Sequence, residues 1–338
     1  MQVTVIVCTR NRSHAIIPSL ESIARALKNA MPLEAEIVVV DNASEDDTAA
    51  RVTAWAENCD IPVNLVHETR KGLSKARNCG LRTARGDLLV FTDDDCHLGE
   101  DYIKNAIRHD AQDRVAVMRG GRVELGDPSD LPLTIKTEAE KKRWQRDWHS
   151  ARNENLGNTL LGCNMVMRRA LVEKVGLFDE RLGAGSPIPG GEDTDYIFRA
   201  YNIGFAIEYV PDLIVDHFHG RKTQKEAYEL LKNYSVGGGA LYAKHLFVHF
   251  NHCRQFVWDL KSMVREVVPG KNLFMPEIGF SLKDKIFYNI KGFFMYALIT
   301  TYGLLNPLQK PVHRIESTHA DEHEVQEESE EVTSGIPR

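Results

Sequence analysis

The chain has 338 residues, 43% hydrophobic and 27% charged, with a formal net charge of -6. This is the composition of a folded protein of one large or two ordinary domains, and it excludes collagenous, low-complexity and wholly disordered classes. The charge is unevenly spread, with 27 Lys and Arg against 34 Asp and Glu in residues 1–216, 13 against 6 in 217–310, and 2 against 8 in 311–338; this argues against a nucleic-acid partner for the first block and makes the second a candidate surface for anionic lipid or phosphate.

The chain runs from Met1 and Gln2 directly into the apolar strand pattern Val3 to Thr9, with no basic region or small-residue cleavage site, so the start reads as a strand and not as a signal peptide. The six cysteines, at 8, 59, 79, 96, 163 and 253, form no CxxC pair and no zinc spacing; reduced thiols in the cytoplasm are expected. Further strands are predicted at Glu36 to Asp41, Val63 to His67 and Asp87 to Thr92, with helices starting near Ser13, Glu45 and Ser74. That alternation predicts an α/β fold, a mostly parallel sheet with flanking helices, in which ligands bind at the carboxyl ends of the strands.

After residue 115 the pattern is less regular. It predicts a strand at Val115 to Leu125 broken by Gly120-Gly121, a charged helix at Glu138 to Arg152 carrying Trp144 and Trp148, and an apolar strand at Leu160 to Met167. The loop Gly183 to Gly191 is of a kind that moves over bound substrates, and a helix follows at Glu192 to Tyr201. Thr223 to Val268 is helical in pattern apart from Gly237-Gly238-Gly239. Ser281 to Leu305 sets Lys283, Lys285 and Lys291 beside Phe287, Phe293, Phe294, Met295 and Tyr296. A spanning helix needs about 20 mainly apolar residues; this segment is marginal for that and fits a helix in the membrane interface, or alternatively one buried against the rest of the protein. The expected organisation is residues 1–220 as the main domain, divided near 115, then a basic helical C-terminal extension over 221–310 and an acidic, disordered tail over 311–338.

Three adjacent carboxylates, Asp93, Asp94 and Asp95, end the fourth strand. Like charges this close need a compensating cation, unless they are merely a solvated turn; hard oxygen ligands favour Mg²⁺ or Mn²⁺ completed by substrate phosphates. After the first strand, Cys8-Thr9-Arg10-Asn11-Arg12 contains neither GxGxxG nor a P-loop, so backbone phosphate cradles are missing. Arg10 and Arg12 can contact phosphate or a base edge, and Asp41 can accept from a base imide or a ribose hydroxyl, or cap the following helix. In Asp216 to Lys222, His217 can join a metal shell or touch diphosphate, and Arg221 can bind phosphate as a fork.

Six segments in order resemble the inverting family 2 glycosyltransferases of the GT-A fold: Val5 to Arg12, Val38 to Ser44, Gly72 to Asn78, Asp93 to Asp95, Gly176 to Leu182 and Gly191 to Asp195. The resemblance implies a GT-A nucleotide-binding sheet. It further implies nucleotide-sugar contacts from Thr9, Arg10, Asp41, Arg77 and Asn78, with Asp94 beside them, and a metal and diphosphate site at Asp93 and Asp95. Gly162-Cys163-Asn164 then falls where the family shapes its sugar pocket, which places Gly162 and Asn164 there, and Asp193 falls at the catalytic base. Uridine as the base is implied by the resemblance alone.

The chemistry independently favours Asp193, because displacement at an anomeric carbon needs a carboxylate to take the acceptor's proton and an electrophile on the leaving diphosphate. Asp193 follows a loop and opens a helix, whose positive end suits a carboxylate. Glu192 is the rival, and helix capping is the structural use of both. The expected function is therefore metal-dependent transfer from a nucleotide-sugar to a glycan or lipid-linked acceptor, with Mn²⁺ or Mg²⁺, at an anionic membrane surface on the inner face of the plasma membrane. The Q-x-x-R-W sequence of processive relatives is missing, which favours addition of a single sugar. A sugar nucleotidyltransferase and a non-catalytic carbohydrate-binding module are the alternatives.

Overall fold

The computed structural model describes residues 2–146, 156–246, 254–267 and 274–305. Trp148, Cys253 and the acidic tail from Pro311 lie outside the described residues. Strands β1 (Gln2–Thr9), β2 (Glu34–Asp41), β3 (Val63–His67) and β4 (Leu88–Asp93) alternate with helices α1 (Ile16–Asn29), α2 (Thr48–Ala56) and α3 (Leu73–Thr83). The strands lie parallel in the order β3-β2-β1-β4. Side chains alternate across a strand, and both faces are covered: Val3, Val5, Val7, Ile37, Val39 and Val90 enter one core, while Ile6, Val38, Val40, Leu89 and Phe91 enter the other. Register pairs Thr9 with Asp41 and Cys8 with Asp93, so the polar residues at the strand ends share one edge.

The chain continues through β5 (Cys96–Leu98), α4 (Tyr102–Ala111), β6 (Val117–Leu125), β7 (Lys142–Trp144), β8 (Met165–Arg168), α5 (Arg169–Val175), α6 (Glu192–Asn202) and β9 (Ala206–His217). The sheet becomes mixed here: β8 is antiparallel to β4 and β6, β6 runs parallel to β9, and β5 and β7 pair antiparallel with β9. At Gly120-Gly121 the strand bends, with a register shift between Gly121 and Val123, but it is not interrupted. Helices α7 (Gln224–His245), α8 (Arg254–Val267) and α9 (Leu282–Leu305) follow. Among the described residues no helix is long and apolar enough to cross a membrane.

Three sequence expectations change. Over its described part, Glu138 to Arg152 contains the short strand β7 in place of a helix. Its charges serve an ion-pair cluster, in which Lys141 and Arg143 reach the fully buried Glu208 at 3.1 Å each. The strand predicted at Leu160 to Met167 begins only at Met165, because Leu160 to Asn164 turns, with the Asn164 amide bonded to the Leu161 carbonyl. The third change is at Gly237-Gly238-Gly239, where α7 runs through unbroken. A Cβ on Gly237 would lie 2.7 Å from the carbonyl carbon of Gly190, and one on Gly239 would collide with the Asn289 carbonyl of α9. The glycines allow close packing on both sides.

Candidate active site

The carboxyl ends of β1 and β4, the turn before β8, the start of α6 and the end of β9 surround one cavity of about 1040 Å³. Thr9, Arg10 and Arg12 line it from one side, Asp93, Asp94 and Asp95 from the floor, and Gly162, Glu192, Asp193, His217 and Arg221 from the other side. The parallel sheet brings the strand ends together, and the antiparallel return of β8 places Gly162 against them.

The acidic floor is electrostatically loaded. Burial raises Asp93 and Asp94, the latter to about 7, against the opposing pull of Arg77 on Asp93 and of Arg12 on Asp94. Asp95 is lowered despite its burial, because His217, Arg12 and Arg221 face it. Arg12 lies 3.4 Å from Asp94 and 3.1 Å from Asp95. His217 Nε2 lies 3.4 Å from Asp95 Oδ1; burial would lower the imidazole, but Asp95 and the neighbouring negative groups raise it to about 9. Asp93, Asp95 and His217 offer oxygen and imidazole donors of the kinds Mn²⁺ and Mg²⁺ accept, although among the described residues the donor atoms that already lie within 4.8 Å of one another are those of Cys96, Cys163 and His217. The thiols of Cys96 and Cys163 are also within reach of His217. Burial raises Cys96 well above the usual thiol range, so it is a neutral neighbour.

Across the cavity, Asp193 stands in the first turn of α6. Its Oδ2 accepts from the Gly162 amide at 3.1 Å and its Oδ1 from the Thr194 amide at 2.6 Å. Gly191, at φ 88°, turns the loop into the helix in a conformation that glycine tolerates best. Glu192 is differently placed: Arg77 donates to its Oε1 at 3.0 Å, and burial raises its pKa. Arg77 also donates to Asp93 Oδ1 at 3.4 Å and to the Gly162 carbonyl at 3.2 Å. It therefore ties Asp93 to the helix that carries Asp193.

Three residues singled out in the sequence do not line the cavity. Asn78 is wholly buried, with its amide donating to the Phe178 carbonyl at 3.0 Å and accepting from the Phe178 amide at 2.8 Å. Asn164 accepts from the Tyr102 hydroxyl at 2.7 Å and donates to the Arg122 and Leu213 carbonyls. Asp41 accepts from the Ser44 amide at 3.2 Å and lies 3.0 Å from His67 Nδ1. Its neighbour Asn42, which the sequence reading passed over, does line the cavity and holds the Gly72 amide at 2.8 Å. Asn233, Tyr234 and Tyr242 of α7 and Lys285 of α9 complete the wall. No local signal marks them, because only the docking of α7 and α9 brings them in. In the loop 183–191 the Ala184 carbonyl accepts from the Leu73 amide at 2.8 Å, and Gly190 and Gly191 lie against α7.

The family model described as glycosyl transferase family 2 matches residues 4–176. The succinoglycan biosynthesis protein ExoM of Rhizobium meliloti is 28% identical over 214 residues, covering 61% of this chain and 63% of its own length. The chain spans 56 to 63% of the length of the first curated relatives it matches. The S. aureus TarS 1-349 structure in complex with UDP has a TM-score of 0.52 at 19% identity, covering 89% of this chain and 92% of that one. The mannosyltransferase PcManGT from Pyrobaculum calidifontis, in complex with GDP-Man and Mn²⁺, has a TM-score of 0.51 at 20% identity, covering 90% and 75%. These two structures share the fold.

Proposed function

The chain belongs to glycosyl transferase family 2, and from that premise we propose that it is an inverting, metal-dependent glycosyltransferase. It moves a single sugar from a nucleotide-sugar, UDP-linked in our reading, to a glycan or lipid-linked acceptor, with Asp193 as general base. The observation that carries this reading is that Asp193 faces the same cavity as Asp93, Asp95 and His217 and is fixed there by two backbone amides.

Asp93, Asp95 and His217 would hold Mn²⁺ or Mg²⁺, which when bound supplies positive charge to the departing diphosphate. The other roles fall to the chain's own side chains. Arg10, Arg12 and Arg221 offer guanidinium forks to phosphate oxygens, and Thr9 and Asn42 bound the nucleotide end of the cavity. Asp193 takes the proton of the acceptor hydroxyl as that oxygen bonds to the anomeric carbon. The bond from this carbon to the diphosphate breaks on the opposite face, so nucleoside diphosphate leaves and configuration inverts. Glu192, engaged by Arg77, positions the helix.

A panel of UDP-, GDP- and TDP-sugars with Mn²⁺, read by nucleoside diphosphate release, tests the proposal. Turnover is expected with a UDP-sugar, and Asp193→Asn lowers it ~10²–10⁴-fold with donor affinity kept. Release of pyrophosphate identifies a nucleotidyltransferase instead, and no turnover with any donor identifies a binding module.

A further inference from the structure

Among the described residues, helix α9 commits one face to the protein and leaves the opposite one exposed. Leu282, Ile286, Asn289 and Tyr296 are buried, and Gly292 packs against the Val236 carbonyl of α7. On the far side Phe287, Ile290, Phe294 and Leu298 are 63%, 44%, 60% and 70% exposed. Their spacings of three, four and four residues place them in one line along the helix, roughly 16 Å long at the helical rise. The exposed charged residues of α9 are Lys283 and Lys291, both basic.

Helix α8 packs against α9 and has exposed apolar side chains of its own. The ion pair of Lys285 with Asp259, at 2.7 Å, ties the two helices together. Val257, Trp258, Leu260 and Val264 are exposed on α8, together with Lys261 and Arg265. Among the described side chains of the two helices no acid is exposed, since Asp259 is buried on Lys285 and Asp284 accepts from the Ser281 amide at 2.9 Å. Isolated exposed apolar residues need no explanation, but a continuous apolar stripe rimmed by cations does.

We infer that α8 and α9 form a docking surface for the interface of an anionic lipid bilayer. The aromatic and aliphatic side chains enter the boundary between headgroups and acyl chains, and the lysines and arginine rest among anionic headgroups. A second copy of the chain fits less well, because a two-fold contact sets this surface against itself and brings basic residues together with no exposed acid among the described side chains of the two helices to pair them. The inference does not depend on the catalytic reading, since no residue of the stripe lines the cavity.

Co-sedimentation of the full chain with phosphatidylcholine vesicles, with and without phosphatidylglycerol, tests it. Binding is expected to need the anionic lipid and to fall in high salt. The triple variant Phe287→Gln, Phe294→Gln, Leu298→Gln should lose about two orders of magnitude in partitioning. The pair Lys283→Gln, Lys291→Gln should lose roughly 30-fold on anionic vesicles only. Both variants should keep the wild-type melting temperature, which separates lost docking from lost folding. Equal binding by wild type and triple variant, or no binding to either vesicle, overturns the inference. So does a dimer in light scattering that the triple variant abolishes while vesicles remain unbound, since the stripe then belongs to a second copy.

Discussion

Arg77 is only 2% exposed, yet its guanidinium meets Glu192, Asp93 and the Gly162 carbonyl at once. Removing one partner of a buried ion pair leaves an uncompensated charge and costs about 3–5 kcal/mol, so Arg77→Met should melt well below wild type. Arg77→Lys keeps the charge but loses the planar fork; it should melt closer to wild type while turnover falls at least tenfold. If thermal melts and kinetics of the two variants move together, the fork has no separate role. Gly162→Ala tests the same junction from the other side. The new Cβ would stand 2.9 Å from Arg77 Nη2 and 3.1 Å from Asp193 Oδ2, and if Asp193 is the base proposed above, small displacements of it are expensive; a loss of turnover of at least tenfold is expected with little change in melting temperature. Residues at strand ends, such as Asp93, Asp95 and His217, were legible because a parallel sheet gathers its carboxyl ends on one edge. Asn78 and Asn164 were not, because an Asn facing a ligand and an Asn satisfying buried backbone groups read alike in a sequence.

At the scale of elements, the contact of α7 with α9 shows where pattern reading fails and why. Glycine weakens a helix, so Gly237-Gly238-Gly239 read as an interruption; in the fold the missing side chains admit Gly190 on one side and the Asn289 carbonyl on the other. Gly292 of α9 reciprocates, approaching the Val236 carbonyl. A methyl group at Gly239 or Gly292 therefore overpacks the contact, which typically costs about 1–3 kcal/mol. Gly239→Ala and Gly292→Ala should each lower the melting temperature by several degrees, and turnover should fall with them because α7 carries Tyr234 and Tyr242 into the cavity. Gly303 supplies the control: among the described residues nothing lies within 4 Å of a Cβ there, so Gly303→Ala should leave the melting temperature unchanged or raise it. Equal effects at all three positions, measured by differential scanning fluorimetry, would reduce the close contact to simple helix propensity.

For the whole molecule, the joint between the sheet and the C-terminal helices is ionic as well as apolar, which no stretch of sequence taken alone reveals. Asp195, on the helix that carries Asp193, is bound by Lys244 and His245 of α7 at 2.8 and 2.9 Å. Asp179 takes Arg181 at 2.6 Å, Lys244 at 2.7 Å and the Tyr296 hydroxyl of α9 at 3.1 Å. Burial would raise both carboxyls, but Lys244 and Arg199 with His245 hold Asp195 well below the usual range, and Arg181 with Lys244 does the same for Asp179. A carboxyl depressed in the folded state stabilises fully above its unfolded pKa, about 4, and this contribution is lost as pH falls from there toward the folded value. Each proton taken up on unfolding gives a slope of about 1.4 kcal/mol per pH unit, so the two carboxyls together should make stability fall steeply below about pH 4. Asp179→Asn removes one of them and should flatten the slope by about half that joint contribution, while lowering stability at neutral pH because Arg181 and Lys244 lose a shared partner. Chemical denaturation of both proteins between pH 2.5 and 7 measures this, and parallel curves through the acid range would mean that the carboxylates joining the sheet to its helical layer are not what fails in acid.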